Sequence, residues 1–316
     1  WEQLQDRASL APTLAAMSPG RITSVAPTTT ATALTSIATG RPPSEHGIVG
    51  YRLSLGGGRV MNVLRWRAAG EDARESVPPA TFQPLAAFGG LEVPVVTRAE
   101  FAATGFTLAH LGGARLAGWR MPSTLVVEVS AALAAGEPFV YAYYDGIDKV
   151  AHEHGLGPHY EAELSAADRL VSDVVERLPA GACLVVTSDH GQVDVGSSTL
   201  RLDEEVLGGD VELQSGEARF RWLHARPGRA DALRSRLAEA YGELAWVATR
   251  QELVEAGVFG GPLRESFAER LGDVALLARG PVAFVDPSDG GEVKLVSRHG
   301  SLTPAEMWVP LGCFRA

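Results

Sequence analysis

Cysteine is scarce in this chain: Cys183 and Cys313 are the only two among 316 residues. Two thiols build no disulfide framework, and Cys183, set in an apolar run, reads as an inert buried thiol. Lysine is equally rare, with Lys149 and Lys294 alone and arginine supplying the other cations. With abundant Ala and Gly, that bias reads as genome composition. Positive charge is short overall, since 28 Lys and Arg against 38 Asp and Glu leave a net charge of -10. A chain this acidic repels polyanions, so no nucleic-acid polymer is expected as partner. A small phosphate ester is not excluded, because metal ions reverse the local field. No apolar run reaches the roughly 18 residues of a transmembrane helix. No signal peptide is visible, and Trp1 is not a normal start residue, so the true N-terminus is expected upstream and the chain is read as cytoplasmic. Repeats and low-complexity tracts are also missing.

What is present is alternation. Residues 13–30, rich in Ser, Thr, Pro and Gly, read as a loop leading into a helix over 31–39 that ends at Gly40. Residues 51–55 and 60–66 flank Gly56-Gly-Gly58 as a hairpin. That glycine run lacks the Lys-Ser/Thr of a phosphate loop and reads as a turn. A helical stretch near 82–87 follows, then a strand at 93–97, a helix at 123–135, a strand at 139–144, a helix at 161–178 and a strand at 184–187. This pattern predicts an α/β fold with a mostly parallel central sheet and helices on both faces. Ligands gather beyond the carboxyl ends of such strands, and Asp145, Asp148, Asp189 and His190 all fall there. Residues 219–225 (strand), 230–241 (helix), 244–249 (strand) and 250–255 (helix) have a pattern of their own. We therefore expect a smaller α+β cap over 196–273, inserted into a core of 1–195 and 274–316, to which strands at 274–278 and 282–285 return. Arg219, Arg221 and His224 are candidates for an anionic substrate, although a solvated strand face accounts for them better.

The chemistry-bearing residues cluster by type. Asp148 and His152 are four apart, which puts both on one face of a helix. Carboxylate and imidazole suit zinc and related divalent ions, while a solvated pair at a helix start has the same spacing. Asp189-His190 converge if the chain turns at the strand end, or form a turn Asp beside a partly buried His. His299, before Gly300 and Ser301, is either structural or a third ligand with Asp148 and His152, leaving room for water or substrate. Thr30 stands where the helix begins. The free amides and positive dipole end there favour a phosphate oxygen, and coordination to a divalent metal favours a deprotonated hydroxyl. Thr28, Thr29 and Thr30 serve equally well as N-caps.

Taken in order, Pro27-Thr-Thr-Thr-Ala-Thr-Ala-Leu-Thr-Ser-Ile-Ala-Thr-Gly40, Pro43-Ser-Glu-His-Gly-Ile48, Tyr144-Asp-Gly-Ile-Asp-Lys-Val-Ala-His-Glu-His-Gly155, Thr187-Ser-Asp-His-Gly191 and Arg298-His-Gly-Ser301 span almost the whole chain. In these motifs the sequence resembles the type I phosphodiesterase/nucleotide pyrophosphatase family of the alkaline phosphatase superfamily. The resemblance implies two divalent metal ions, most often Zn2+. Asp148, His152 and His299 match the ligands of one ion. Asp189 and His190 match ligands of the other, which also contacts the nucleophile matched by Thr30, and His46 is structural or stands behind the ligands. It further implies metal-dependent hydrolysis of a small phosphate ester through a phosphothreonine. The family places one more Asp ligand at the end of its first strand. Asp6 lies in a helix-like stretch and does not match it, so that strand is expected upstream of Trp1. Phosphomonoesterases, phosphonate hydrolases and phosphate mutases share the metal cradle. Sulfatases need Cys or Ser at the position of Thr30. A non-catalytic phosphate-ligand binder is the reading from another class.

Overall fold

The computed structural model describes residues 1–289 and 294–316. The main strands are β1 (Gly20–Thr23), β2 (Pro94–Arg98), β3 (Arg115–Trp119), β4 (Tyr141–Ala142), β5 (Cys183–Thr187), β6 (Val211–Glu217), β7 (Phe220–Ala225), β8 (Ala245–Thr249), β9 (Val274–Ala278) and β10 (Trp308–Arg315). The main helices are α1 (Thr30–Thr39), α2 (Gly105–His110), α3 (Pro122–Ala134), α4 (Gly146–His154), α5 (Pro158–Val175) and α6 (Ala230–Tyr241). Among the described residues, no helix is long and apolar enough to cross a membrane.

The expected α/β fold is observed, and the parallel pairing within it is confined mainly to one three-stranded sheet. There β2 lies between β3 and β4 and is parallel to both. Val96 and Trp119 of this sheet pack against Leu125, Val126 and Val129 of α3, with Val174 of α5. A second three-stranded sheet, β1-β10-β5, is antiparallel. Among the described residues β5 pairs with β10 alone, and its exposure alternates along its length. Leu184 packs toward Val174 of α5, whereas Val185 is 59% exposed. The apolar run at 184–186 is therefore half-buried on one face and exposed on the other. This corrects the reading of Cys183 as a buried thiol: Cys183 and Cys313 are both exposed, with their sulfurs 3.4 Å apart.

A four-stranded antiparallel sheet, β6-β7-β9-β8, forms the other main layer. Its central strand β9 is buried at every residue, because alternate side chains enter different cores. Ala275 and Leu277 face the cluster of Leu34, Met61, Trp66 and Trp222, while Val274, Leu276 and Ala278 face Leu233 and Leu237 of α6. Period-two alternation between two apolar layers explains the continuous run Val-Ala-Leu-Leu-Ala. In this sheet β9 hydrogen-bonds to β7 and β8, which both lie in residues 196–273.

Two further expectations change. The helix expected near 82–87 is a single turn, Pro79–Phe82, because Pro84 cannot continue it and the Gln83 side chain bonds the Leu85 and Ala109 carbonyls instead. Arg219 and Arg221 are not on a solvated face but fully buried. The Arg219 guanidinium makes a two-pronged pair with Glu306 at 2.7 and 2.8 Å and also donates to the Gly280 and Val282 carbonyls.

Candidate metal centre and nucleophile

Three local devices bring the site together. The first is α4, where the four-residue step from Asp148 to His152 places Asp148 Oδ1 3.3 Å from His152 Nε2. The second is a short antiparallel ladder pairing Val193–Asp194 with Ser297–Arg298, which carries the segment after β5 alongside the segment before His299. The rings of His190 and His299 consequently stack with centroids 3.6 Å apart. The third is Thr28, which ties the start of α1 to the His299 loop. Its amide donates to the Gly300 carbonyl, its hydroxyl to the Ser301 carbonyl, and Gly300 N–H donates back to the hydroxyl. Gly300 has φ 136°, and a Cβ there would stand 2.6 Å from Glu217 Cγ, so only glycine permits this close approach.

Each histidine is held by its other nitrogen. His152 Nδ1 donates to the Ser297 carbonyl at 2.8 Å, His299 Nδ1 to the Thr28 carbonyl at 2.7 Å, and His190 Nδ1 to the Gly191 carbonyl at 3.0 Å. A carbonyl only accepts, so in the neutral ring the hydrogen sits on Nδ1 and Nε2 keeps its lone pair. His152 Nε2 and His299 Nε2 are nevertheless 3.2 Å apart. Two lone pairs at that distance repel unless a cation lies between them. Ligands of a tetrahedral ion with bonds of about 2.0–2.1 Å are about 3.3 Å apart, so the spacing fits. Asp148 Oδ1, 3.3 Å from His152 Nε2 and 3.9 Å from His299 Nε2, supplies the anionic member. Asp148, His152 and His299 are the group of three ligand-type side chains found close enough for one ion among the described residues. Burial and the neighbouring His190 and His152 hold His299 well below the ordinary histidine range, which keeps its Nε2 free of a proton.

The second cluster contains Asp189, His190 and Thr30. His190 Nε2 lies 3.1 Å from Thr30 Oγ1 and 3.4 Å from Asp189 Oδ2. Burial pushes the Asp189 carboxyl up, and His190 offsets part of that. A carboxylate kept in such surroundings calls for a cation. Thr30 is the first residue of α1. Thr29, the residue before it, makes no side-chain cap bond. The structure thus brings Thr30, Asp148, His152, Asp189, His190 and His299 to one place. Asp145, also at a strand end, is committed elsewhere: Arg98 and Lys149 both pair with it. His46 is fully buried between the Ser36 hydroxyl and the Ile48 amide, and burial, with Arg270 nearby, lowers it to about 3.

The supporting residues escaped the sequence. Gln192 donates to Asp148 Oδ1 and accepts from the Ser297 hydroxyl. Glu306 accepts from Ser301 N–H at 2.9 Å as well as from Arg219. Gln192 stands two residues after His190 and carried a faint signal by proximity, whereas nothing in the sequence links Glu306 to Arg219.

Beside Thr30 a cavity of about 500 Å³ opens. Leu34, Leu64, Phe101, Phe106 and Leu111 form its apolar wall, and Asp145, Asp148 and Lys149 also line it.

Comparison with known proteins identifies the fold and the family. The fold is shared with murine ectonucleotide pyrophosphatase / phosphodiesterase 5, with a TM-score of 0.72 at 16% identity over 98% of this chain and 85% of that one. It is shared also with phosphonoacetate hydrolase from Sinorhizobium meliloti 1021, with a TM-score of 0.70 at 18% identity over 100% and 87%. A curated human protein, GPI ethanolamine phosphate transferase 3 catalytic subunit, is 35% identical over 82 residues, which are 25% of this chain and only 6% of that protein. The family model described as Type I phosphodiesterase / nucleotide pyrophosphatase matches residues 1–112 and 115–302. The chain belongs to the type I phosphodiesterase/nucleotide pyrophosphatase family.

Proposed function

We propose that the protein is a metal-dependent phosphoric ester hydrolase, phosphodiesterase-like, in which Thr30 is the attacking nucleophile. The observation that carries this reading is the Thr30 hydroxyl at the start of α1, 3.1 Å from His190 Nε2 and at the head of the cavity. Because His190 Nδ1 is bound to the Gly191 carbonyl, Nε2 keeps its lone pair for an ion, and an ion held by Asp189 and His190 would favour the deprotonated Thr30 oxygen that attacks phosphorus. In the first step the Thr30 oxygen, its proton given up to solvent, forms a bond to phosphorus while the bond to the leaving oxygen breaks and that oxygen takes up a proton, giving a phosphothreonine that keeps the other ester group of a diester. In the second, water displaces the Thr30 oxygen, which takes one of its protons, and frees a phosphate monoester from a diester substrate. The amides at the start of α1 hold the phosphoryl oxygens. Asp148, His152 and His299 would hold one divalent ion, and Asp189 with His190 another, zinc being the ion their nitrogen and oxygen donors suit. Such ions supply charge neutralisation at the phosphoryl oxygens and promote deprotonation of a hydroxyl and a water. In support, a murine phosphodiesterase 5 variant with Thr changed to Ala is called inactive and was solved in complex with AMP.

The test is Thr30→Ala against Thr30→Ser in zinc-loaded protein with a chromogenic phosphodiester. Thr30→Ala should lower kcat by at least about a thousandfold, whereas Thr30→Ser should keep a measurable fraction of it. Acid quenching during turnover should leave the substrate's phosphoryl group, with its remaining ester, on the Thr30 peptide. Full activity in Thr30→Ala would falsify the mechanism. A second reading, transfer of the phosphoryl group to an alcohol instead of water, is favoured by the 82-residue likeness to a phosphate transferase. Product analysis with ethanolamine present separates the two.

A further inference from the structure

The cavity beside Thr30 does not end at its apolar wall. It shares Leu64, Arg65 and Thr104 with a second hollow of about 560 Å³, whose charged residues are Arg65, Arg67, Arg74 and Asp72. In a chain of net charge -10, three arginines against one aspartate make a local positive field. The cations differ in how they are engaged. Arg74 is paired with Asp72, and Arg67 is bonded to the Gly70 carbonyl. Lys149, which also lines the first cavity, pairs with Asp145 at 2.9 Å. Arg65 is exposed, and among the described residues its guanidinium makes no ion pair or hydrogen bond. His110 in the cavity wall adds no charge near neutrality, since burial lowers it to about 4.

The backbone beneath Arg65 is fixed. The next residue, Trp66, is fully buried at φ 52°, a left-handed conformation that a bulky side chain adopts only under constraint. The constraint is visible: its indole donates to the Val77 carbonyl and meets Phe82 edge-on. Its ring also lies on Gly105 at the start of α2, where a Cβ would stand 2.3 Å from Trp66 Cγ. The helix that supplies Phe106 and the turn that supplies Arg65 are thus clamped together at the mouth.

We propose that the substrate's leaving group is apolar next to the phosphorus and carries a second anionic group at its far end, which Arg65 binds. The arrangement is an ester end at Thr30, a carbon-lined passage past Phe101 and Phe106, and an unengaged cation where the passage opens. This rests on reading Thr30 as the atom that attacks a phosphate ester. A neutral leaving group would fill the passage and leave Arg65 unused. A polar one would leave the carbon wall facing water.

Binding tests this independently of turnover. The probes are 4-ethylbenzylphosphonate and 4-(2-carboxyethyl)benzylphosphonate, titrated calorimetrically into zinc-loaded protein. The carboxylated ligand has a carboxylate at the end of the chain that stops at a methyl in the other, and 4-(2-carbamoylethyl)benzylphosphonate, its neutral isostere, is titrated as the control for size. The carboxylated ligand should bind about fivefold more tightly, the scale of one partly exposed charge pair. Arg65→Gln should abolish that preference while leaving the affinity for the ethyl ligand within about twofold, and 0.5 M NaCl should shrink it. Equal affinity of the two ligands for the unaltered protein, or a preference that survives Arg65→Gln, overturns the proposal. In parallel, hydrolysis of the methyl aryl phosphate diesters with the same two side chains reports on the catalytic reading. Absence of turnover with a surviving Arg65-dependent preference would sink the hydrolase and keep this binding site.

Discussion

His152 and His299 point their Nε2 atoms at one another across 3.2 Å while both Nδ1 atoms donate to main-chain carbonyls. The two rings therefore present lone pairs to one another, an arrangement that a cation relieves and water does not relieve as well. Removing the ion with a chelator should lower the melting temperature, and zinc should restore it by mass action. His152→Ala should weaken binding of that ion by more than about a hundredfold, since loss of an outer partner alone costs about 10–100-fold. Zinc titration with a competing chelator measures both. Unchanged zinc affinity in His152→Ala would remove Asp148, His152 and His299 as a ligand set.

Gln192 offers a finer test. Its amide donates to Asp148 Oδ1, and the Ser297 hydroxyl fixes the far end of the same amide. Gln192→Leu deletes the bond that aims Asp148 without touching a proposed ligand. Zinc affinity should fall about tenfold while the far-UV spectrum stays unchanged. Gln192→Glu should be worse, because it sets a second carboxylate beside Asp148. If both variants bind zinc like the unaltered protein, Gln192 has no positioning role.

The ligand-type residues were legible in the sequence because metal chemistry restricts residue types and helix geometry restricts spacing. Asp148 and His152 announce themselves by a four-residue step, and Thr30 by its place at a helix start. Gly56-Gly-Gly58 and the run at 274–278 were equally readable, since a turn and a doubly buried strand each leave a local pattern. What was not legible is non-local. Arg219 looked like a surface arginine because its partner lies 87 residues away. Cys183 looked buried because an apolar run does not reveal whether both faces of its strand are covered. The role of Gln192 depends on where Asp148 and Ser297 arrive in space. Periodicity also misplaced a helix near 82–87, where Pro84 and the backbone bonds of Gln83 prevailed.

Arg219 and Glu306 form an ion pair with both side chains at 0% exposure. Glu306 also accepts from Ser301 N–H and from the Thr303 hydroxyl, so the pair secures the turn that follows His299. Arg219→Met should cost about 3–5 kcal/mol, because it leaves a buried carboxylate without its cation. Adding Glu306→Leu should recover part of that loss, since two apolar groups no longer include an unpaired charge. Urea unfolding of the single and double variants gives the comparison. If Arg219→Met costs less than about 1 kcal/mol, the buried pair is not the anchor of that turn.

Acid should destabilise the fold through histidines outside the proposed metal centre. Burial is the main cause lowering His46 to about 3 and His110 and His224 to about 4, from an ordinary value of 6.5. Between pH 6.5 and about 4 the unfolded chain takes up protons at these rings and the folded chain does not. The unfolded state then holds more protons, so stability rises with pH and is lost on acidification across that window. Each ring contributes about 1.4 kcal/mol per pH unit at full slope. Urea unfolding at pH 7.5 and pH 5.5, with EDTA throughout so that ion release adds nothing, should show a loss at the lower pH. His110→Gln should remove up to about a third of the part that these three rings contribute, His299 adding its own part once the ion is stripped. A pH dependence identical in the unaltered protein and in His110→Gln would mean that His110 is protonated in the fold, and that the Phe106 carbonyl, which holds its Nδ1 at 2.7 Å, outweighs its burial.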